Sequence, residues 1–328
     1  AVDPDRNGSH MTEVAAAASP NLALVKYWGK ASVEQNLPAT TSIGITLEGL
    51  TSRVAIAQSR RGDQVSVDGK PQDVERFRPF LAALRERGKT EATFSLVGEN
   101  SFPGSAGLAS SASGFAAAAK AGLRLLGLED TPEAVSSLAR VGSASAARSA
   151  FGGICRLEAG AVAAEPLFEE SWWPELRLLV LVVSQKHKPL SSRAAMELAR
   201  TTSPYYQRWV DSAPRIAAEA TEALVRRDLA ALGVAMQESY LGMFSTMFTS
   251  VPPVIYWLPE SLAIIHRCRE LREAGIPAWE TMDAGPQVKV LTTDEHLPEI
   301  RRSIESLGVT SAAIEARSGG PPEVIREH

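Results

Sequence analysis

Three short strings in this chain carry residue types that could act on a charged substrate: Lys26-Tyr27-Trp28-Gly29-Lys30, the small-residue run PGSAGLASSA from Pro103 to Ala112, and Asp283-Ala284-Gly285-Pro286. Together they would supply cations for anionic groups, a cradle that polyphosphate could enter, and one carboxylate to take or orient a proton. That is the chemistry of phosphoryl transfer, where positioning and charge stabilisation do most of the catalysis. The cradle follows from residue type. Gly104 and Gly107 can adopt backbone angles closed to other residues, and Ala106, Ala109 and Ala112 are small enough to let an anion reach the main chain. The Ala- and Leu-rich stretch that follows predicts a helix from about Leu108 to Leu126, closed by Gly127. Phosphates would then meet a helix N-terminus, with its unpaired N–H groups and positive dipole end, and the hydroxyls of Ser105, Ser110 and Ser111 would add donors. Each string also has a purely structural reading: a helix start packed tightly on a sheet, a turn aspartate capping its own backbone, a strand-end lysine facing solvent.

Other site classes find no support in the sequence. It contains no G-x-x-x-x-G-K-[ST] and no strand followed by G-x-G-x-x-G. Cys155 and Cys268 lack paired spacing, and the five histidines lack the spacing of a metal site, so neither a disulfide framework nor a zinc cluster is expected and a reducing cytoplasm fits best. A formal net charge of −4 argues against a broad nucleic-acid-binding face. The longest apolar run, Leu176–Val183, is interrupted by Arg177 and too short to span a membrane.

The elements that must position these strings can be read coarsely. Of 328 residues, 45% are hydrophobic, enough to bury a substantial core in one large or two medium domains. Residues 1–10 read as an expression scar before Met11. Strands are expected near Leu22–Tyr27, Ile43–Leu47, Arg53–Ala57, Gln64–Val67, Ala92–Val97, Ile154–Leu157 and Leu176–Ser184, with helices over Val74–Arg87 and from Thr131-Pro132-Glu133 to about Val141. From about Gln185 the texture shifts to long helices: Ser191–Thr201, Pro204–Leu224 (kinked or broken near Pro214), Asp228–Ser245 and Ser261–Ala274. Apolar stretches follow at Val288–Leu291 and Ala312–Ala316. The class is α+β, with an N-terminal nucleotide-binding domain over 11–184 and a helix-rich C-terminal α+β domain over 185–328.

Taken in order, NLALVKYWGK (21–30), NLPATTSIGITL (36–47), FPGSAGLASSASGFAA (102–117), GSASAARSAFGG (142–153), LSSRAAM (190–196), PPVIYW (252–257) and DAGPQVKVL (283–291) resemble the diphosphomevalonate decarboxylase family of the GHMP kinase superfamily. The resemblance covers nearly the whole chain from Asn21, and KYWGK and DAGP are its most specific parts. It implies a two-domain α+β fold with the active site in the cleft between the domains. The implied reaction is ATP-dependent decarboxylation of mevalonate 5-diphosphate to isopentenyl diphosphate, by 3-phosphorylation followed by loss of phosphate and carbon dioxide. The alternatives are a mevalonate 5-phosphate decarboxylase, a GHMP-type mevalonate kinase without decarboxylation and, further off, a non-catalytic nucleotide-dependent sensor.

Carried over residue by residue, the resemblance implies Asp283, Lys26 and Arg148 at the reacting centre, with Asp283 orienting or deprotonating the hydroxyl and Arg148 gripping the substrate carboxylate. Tyr27, Lys30, Ser143, Ser145, Ser192 and Arg193 would hold the 5-diphosphate. The nucleotide would lie along Pro103, Gly104, Ser105, Ala106, Gly107, Leu108, Ala109, Ser110 and Ser111. ATP and Mg²⁺ are the implied cofactors, with no protein ligand to the metal named, and a homodimer is the implied assembly. Trp28 and Trp257 would be packing residues. The chain departs from the family pattern at Gln287, where Asn is usual, at Ala147, where Cys is usual, and after Lys30, where ASVEQ lacks the usual acidic pair.

Overall fold

A computed structural model describes residues 12–102, 110–186 and 190–328. The first part of the chain runs β1 (Glu13–Ala18), β2 (Asn21–Val25), β3 (Lys30–Ser32), β4 (Leu37–Pro38), β5 (Ser42–Thr46), β6 (Ser52–Ser59), β7 (Gln64–Val67), β8 (Lys70–Pro71), α1 (Arg78–Gly88), β9 (Thr93–Asn100), α2 (Ser110–Leu125) and α3 (Pro132–Gly142). A 3-10 turn, Ala144–Ala150, leads into β10 (Ile154–Leu157), β11 (Glu165–Phe168) and β12 (Leu176–Val182). Then come α4 (Ser192–Thr202), α5 (Tyr206–Arg226), α6 (Leu229–Phe248), α7 (Pro259–Glu273), β13 (Trp279–Met282), β14 (Val288–Thr293), α8 (Leu297–Glu305), β15 (Ala312–Ala316) and β16 (Glu323–Glu327).

Three sheets organise the core. The first has the order β16-β1-β6-β9-β7-β8 and is covered by α2, whose Ala116, Ala117, Ala119 and Ala121 are fully buried; small side chains bring the helix close to the strands. The second, β11-β10-β5-β2, is buried along every residue of β2 and β5. The third, β13-β14-β12-β15, packs into a hydrophobic core on each face. Along β12, Leu178, Val180 and Val182 face the core shared with β2 and β5, whereas Leu179 and Leu181 face α4, α6 and α7, the period-two alternation of a doubly covered strand. The chain's last strand, β16, returns to pair antiparallel with β1, tying the C-terminus to the first sheet.

Local rules account for most boundaries. Thr131 caps α3, its hydroxyl accepting from the Ala134 N–H with Pro132 at the first turn. Asp228 does the same for α6 through Ala231 N–H. Gly127 and Gly275, both at positive φ, follow α2 and α7. Several expectations need correction. The expected strand through Tyr27 ends at Val25, because Lys26 turns inward to the site. The segment expected as one helix over Val74–Arg87 is a 3-10 turn, Val74–Arg76, followed by α1. Helix α5 runs unbroken through Pro214. Its apolar face, with Trp209, Ala213, Ile216, Ala217 and Ala220 buried, holds it in place by tertiary packing where the local signal alone favours a break.

Candidate active site

Strand β2 ends by delivering Lys26 into the interior. Its backbone N–H donates to Ser239 Oγ on α6 (2.8 Å), fixing the strand end, and its Nζ donates to Ala23 O (2.7 Å) and Asp283 Oδ1 (2.9 Å). Asp283 opens the turn between β13 and β14. That turn is held from outside: Ser261 Oγ donates to Pro286 O (2.6 Å), and Gln287 Oε1 accepts from Val183 N–H (2.7 Å) while its Nε2 donates to Ser184 O (2.5 Å). The longer amide at Gln287 thus ties the turn to the end of β12. Lys289, on β14, donates to the second carboxylate oxygen, Asp283 Oδ2, at 3.0 Å. Both lysines are 1% exposed, while Asp283 keeps 36% of its side chain open.

Arg148 projects from the 3-10 turn and is 2% exposed. Its Nε donates to Asn21 Oδ1 (3.0 Å) and its Nη1 to Ser42 Oγ (2.6 Å). Asn21 in turn donates to Ser145 O (3.0 Å) and Ser149 Oγ (2.8 Å), so the 3-10 turn, β2 and β5 form one hydrogen-bonded unit. Gly44 makes room for it: a Cβ there would lie 2.6 Å from Arg148 Nε. Among the described residues no carboxylate lies within ion-pair distance of Arg148, leaving a buried cation suited to a bound anion.

The electrostatics follow from this geometry. Burial alone would raise the Asp283 pKa, but Lys26 and Lys289 together hold the carboxyl well below the usual carboxylate range. Burial, helped by Lys289 and Arg148 and opposed by Asp283, brings the Lys26 ammonium down to about 8. Tyr27 is pushed up to about 12 by burial, against the pull of Arg148 and Arg193, so near neutral pH its phenol is a donor. Lys30 is lowered, first by burial and then by Arg193, with Glu197 opposing.

Of the expected phosphate-holding residues, Tyr27 is tied electrostatically to this centre, through Arg148. Tyr27 lies within electrostatic reach of both Arg148 and Arg193, and Lys30 within reach of Arg193. Ser143 and Ser145 hydroxyls are 3.0 Å apart, and Ser192 begins α4 with Arg193 exposed beside it. Gly29, at φ +102°, passes over Tyr206, whose hydroxyl would sit 2.0 Å from a Cβ there. The expected nucleotide run falls partly outside the described residues: of it, only Ser110 and Ser111 are described, as the first two residues of α2. They line a cavity of about 170 Å³ together with Ser52–Val54, Val65–Val67 and Gly98–Asn100, and Gly114 opens onto unfilled space. Trp28 packs with Trp209 and Tyr240, and Trp257 against Phe244 and Phe248.

Sequence reasoning did not single out Asn21, Ser42, Lys289 or the cavity beside α2. A signal existed for Lys289, a charged residue between Val288 and Val290 in a strand whose first four residues are otherwise apolar. Asn21 opens an equally apolar strand. Neither could be assigned a partner before the chain was folded. Cys155 and Cys268 are buried free thiols, and among the described residues no three His, Cys, Asp or Glu side chains form a metal-binding group.

Fold and site together define an α+β enzyme of the GHMP superfamily, with buried cations around one carboxylate. Residues 18–167 match the diphosphomevalonate decarboxylase-like N-terminal domain, and residues 178–323 match the mevalonate 5-diphosphate decarboxylase C-terminal domain. The chain belongs to the diphosphomevalonate decarboxylase family, ATP-dependent carboxy-lyases of the mevalonate pathway. It is 34% identical over 312 residues to diphosphomevalonate decarboxylase of Debaryomyces hansenii, covering 86% of this chain and 79% of that protein. With the Bos taurus enzyme it shares 31% identity, covering 87% and 78%. The crystal structure of mevalonate diphosphate decarboxylase from Staphylococcus aureus superposes with a TM-score of 0.91 at 32% identity, over 96% of this chain and 98% of that one. The structure of MDDEF in complex with MVAPP, AMPPCP and magnesium gives 0.90 at 33% identity, over 96% and 99%.

Proposed function

We propose that this chain phosphorylates the 3-hydroxyl of mevalonate 5-diphosphate and then releases phosphate and carbon dioxide to leave isopentenyl diphosphate, with Lys26, Asp283 and Arg148 at the reacting atoms. The observation that carries this reading is the Asp283 carboxylate, its two oxygens taken by two buried lysines while about a third of the side chain stays open. A tertiary hydroxyl is a poor nucleophile and, as hydroxide, a poor leaving group; phosphorylation solves the second problem. Asp283 addresses the first by accepting the hydroxyl's hydrogen bond, aiming its oxygen and receiving its proton as the new O–P bond forms and the phosphoryl group's bond to ADP breaks. Because the carboxylate stays ionised, its charge and fixed position do more than its proton affinity. Lys26 faces the negative charge developing on the transferred phosphoryl group. Arg148 grips the substrate carboxylate, and its N–H fork suits two oxygens at once. As the phosphate leaves, that grip holds the carboxylate over the carbon where positive charge develops.

Tyr27, Lys30, Ser143, Ser145, Ser192 and Arg193 would hold the 5-diphosphate. Two cations and several neutral donors favour a diphosphate over a monophosphate. The fit of the nucleotide is supported by the cavity beside the start of α2, whose serines and open Gly114 would receive it at a helix N-terminus. Mg²⁺ would neutralise charge on the nucleotide phosphates, and without a carboxylate cage among the described residues it would be held largely by phosphate and water. Domains meeting near residues 184 and 185, a cytoplasmic setting and a homodimer complete the reading; among the described residues no helix is long and apolar enough to cross a membrane.

The test is to supply Mg-ATP with mevalonate, its 5-phosphate or its 5-diphosphate in parallel, and to measure ADP and carbon dioxide together. Equal release of both from the diphosphate alone is the expected result. ADP without carbon dioxide would make the protein a kinase, preference for the monophosphate would move the substrate, and ADP from none would leave a sensor.

A further inference from the structure

From the placement of Lys289 opposite Lys26 across Asp283, we infer that Lys289 is a positioning residue for the reaction, holding the carboxylate in the one orientation that presents it to the substrate hydroxyl. This rests on the assignment of Asp283 to the reacting centre made above.

A carboxylate held by one cation can rotate about its last bond; held on both oxygens, it cannot turn without breaking one contact. Here Lys26 Nζ takes Oδ1 at 2.9 Å and Lys289 Nζ takes Oδ2 at 3.0 Å. Lys26 follows directly on β2 and Lys289 lies within β14, strands of different sheets, so the carboxylate also links the elements that must come together to form the site. Burying a lysine is costly unless its charge is matched, and Lys289 is 1% exposed. Its position is set by the sheet: Val288 and Val290 point into the core beneath α7, so alternation directs Lys289 to the opposite face, and Thr281 is its cross-strand neighbour. One anion between two cations leaves an excess of positive charge, and Arg148 adds a third cation acting on both Asp283 and Lys26. A pocket built this way favours an incoming phosphoryl group, and the second lysine therefore sets charge as well as orientation.

The groups acting on Asp283 are Lys26, Lys289 and, at longer range, Arg148, which makes the expected pH behaviour specific. Removing Lys289 takes away one cation that stabilises the carboxylate, so the acid limb, which lies below the ordinary assay range in the native chain, moves to higher pH and toward that range. It also takes away one cation that destabilises protonated Lys26, so the alkaline limb moves the same way. A merely structural lysine would not shift both limbs upward.

The experiment compares Lys289→Met, Lys289→Arg, Asp283→Asn and the Asp283→Asn/Lys289→Met double variant in the full chain, with folding followed by circular dichroism. Lys289→Met should lower kcat by about 10²-fold with KM for ATP within a few-fold, the scale on which misplacing a reacting group is felt. Lys289→Arg should recover at least tenfold of that loss, and both pH limbs should rise in Lys289→Met. The double variant should be no slower than Asp283→Asn alone, because the lysine acts through the carboxylate. If Lys289→Met does not fold, the double variant, which removes both members of the pair, and Lys289→Arg still decide: a double variant at least tenfold slower than Asp283→Asn, or a folded arginine variant whose kcat is about 10²-fold or more below that of the native chain, overturns the inference. Near-normal turnover and unchanged pH limbs in folded Lys289→Met overturn it as well. Near-normal turnover in Asp283→Asn would instead overturn the assignment of Asp283 itself.

Discussion

The proposed reacting end of the site and its proposed phosphate-holding end are built on opposite terms. Around Asp283 the charges are buried and tied down: Lys26 and Lys289 are 1% exposed, Arg148 is 2% exposed, and each is held by hydrogen bonds from the fold. At the other end Lys30 is half-buried and Arg193 exposed, with no carboxylate within ion-pair distance of either among the described residues. Fixed, desolvated charges are suited to a transition state, since they need no reorganisation when charge moves. Cations open to solvent are suited to capture and release of a polyanion, and they influence affinity more than the chemical step. The comparison therefore predicts that substitutions at one end act on kcat and substitutions at the other on KM.

The largest effect should come from Asp283→Asn, which keeps the shape and deletes the charge between two lysines. We expect kcat to fall by about 10³-fold or more with ATP affinity largely intact, measured by ADP and carbon dioxide release and by equilibrium nucleotide binding. Turnover near normal would end the distinction between the two regions. Next comes Gly44→Ala, which touches no substrate directly. Its methyl would lie 2.6 Å from Arg148 Nε and 3.0 Å from Asn21 Oδ1, so the guanidinium must move. A fall in kcat of about 10²-fold and a loss of about 1–3 kcal/mol in denaturant unfolding are expected. Unchanged kinetics would show that Arg148 is less tightly fixed than its hydrogen bonds indicate.

A pH profile sharpens the contrast further. In the proposed mechanism Lys26 acts as a cation, and its pKa, brought down to about 8 mainly by burial, lies below the usual lysine value. The proton is therefore lost as pH rises through about 8, and kcat/KM should drop about tenfold for each unit above it. In Lys26→Arg the guanidinium stays charged, and whatever activity remains should lose that alkaline limb. Asp283 gives no acid limb in the ordinary assay range, because its two lysines keep it ionised well below the usual carboxylate values.

How far these two regions could be read in advance differs for a physical reason. Arg193, Lys30 and Tyr27 lie in strings whose charge and donor chemistry are visible residue by residue. The structural reading of Lys26 as a solvent-facing lysine was open in one dimension, and nothing in Arg148's own string fixes its burial; that burial depends on β2, β5 and the 3-10 turn meeting. Strands such as Gln64–Val67 and Ile154–Leu157 were legible to the residue, because turn signals and apolar patterning agree there. The alanine-rich β1 was not: alanine is a poor strand signal, and the segment is a strand because it lies between β6 and β16 beneath α2. The last strand, β16, is legible only through that distant partner. Lys289 was overlooked for a similar reason, since a lysine in an apolar strand acquires meaning only when the β13–β14 turn brings Asp283 back over it.

At the phosphate-holding end, Arg193→Ala should raise KM for the phosphorylated substrate by about tenfold with kcat within a few-fold. This is the low end of what a charged hydrogen bond contributes, because the side chain is exposed. A large fall in kcat at unchanged KM would place Arg193 with the fixed charges and blur the boundary between the two ends.

The smallest expected effect tests the same boundary from the opposite sign. Glu197 sits one turn along α4 from Arg193, is held on both oxygens by Arg200 (2.9 and 2.6 Å), and still acts on Lys30 at longer range. It is the one carboxylate acting on Lys30 among the described residues, and so it competes weakly with a bound phosphate for that cation. Replacing it by Gln keeps the size and removes the charge. KM for the diphosphate should then fall by about twofold, the scale of an exposed charge interaction, and the gain should shrink as salt is raised. Salt-dependent tightening at unchanged kcat is what an open, solvent-screened phosphate mouth requires. A change in kcat would mean that the mouth and the reacting centre are coupled more closely than their burial suggests.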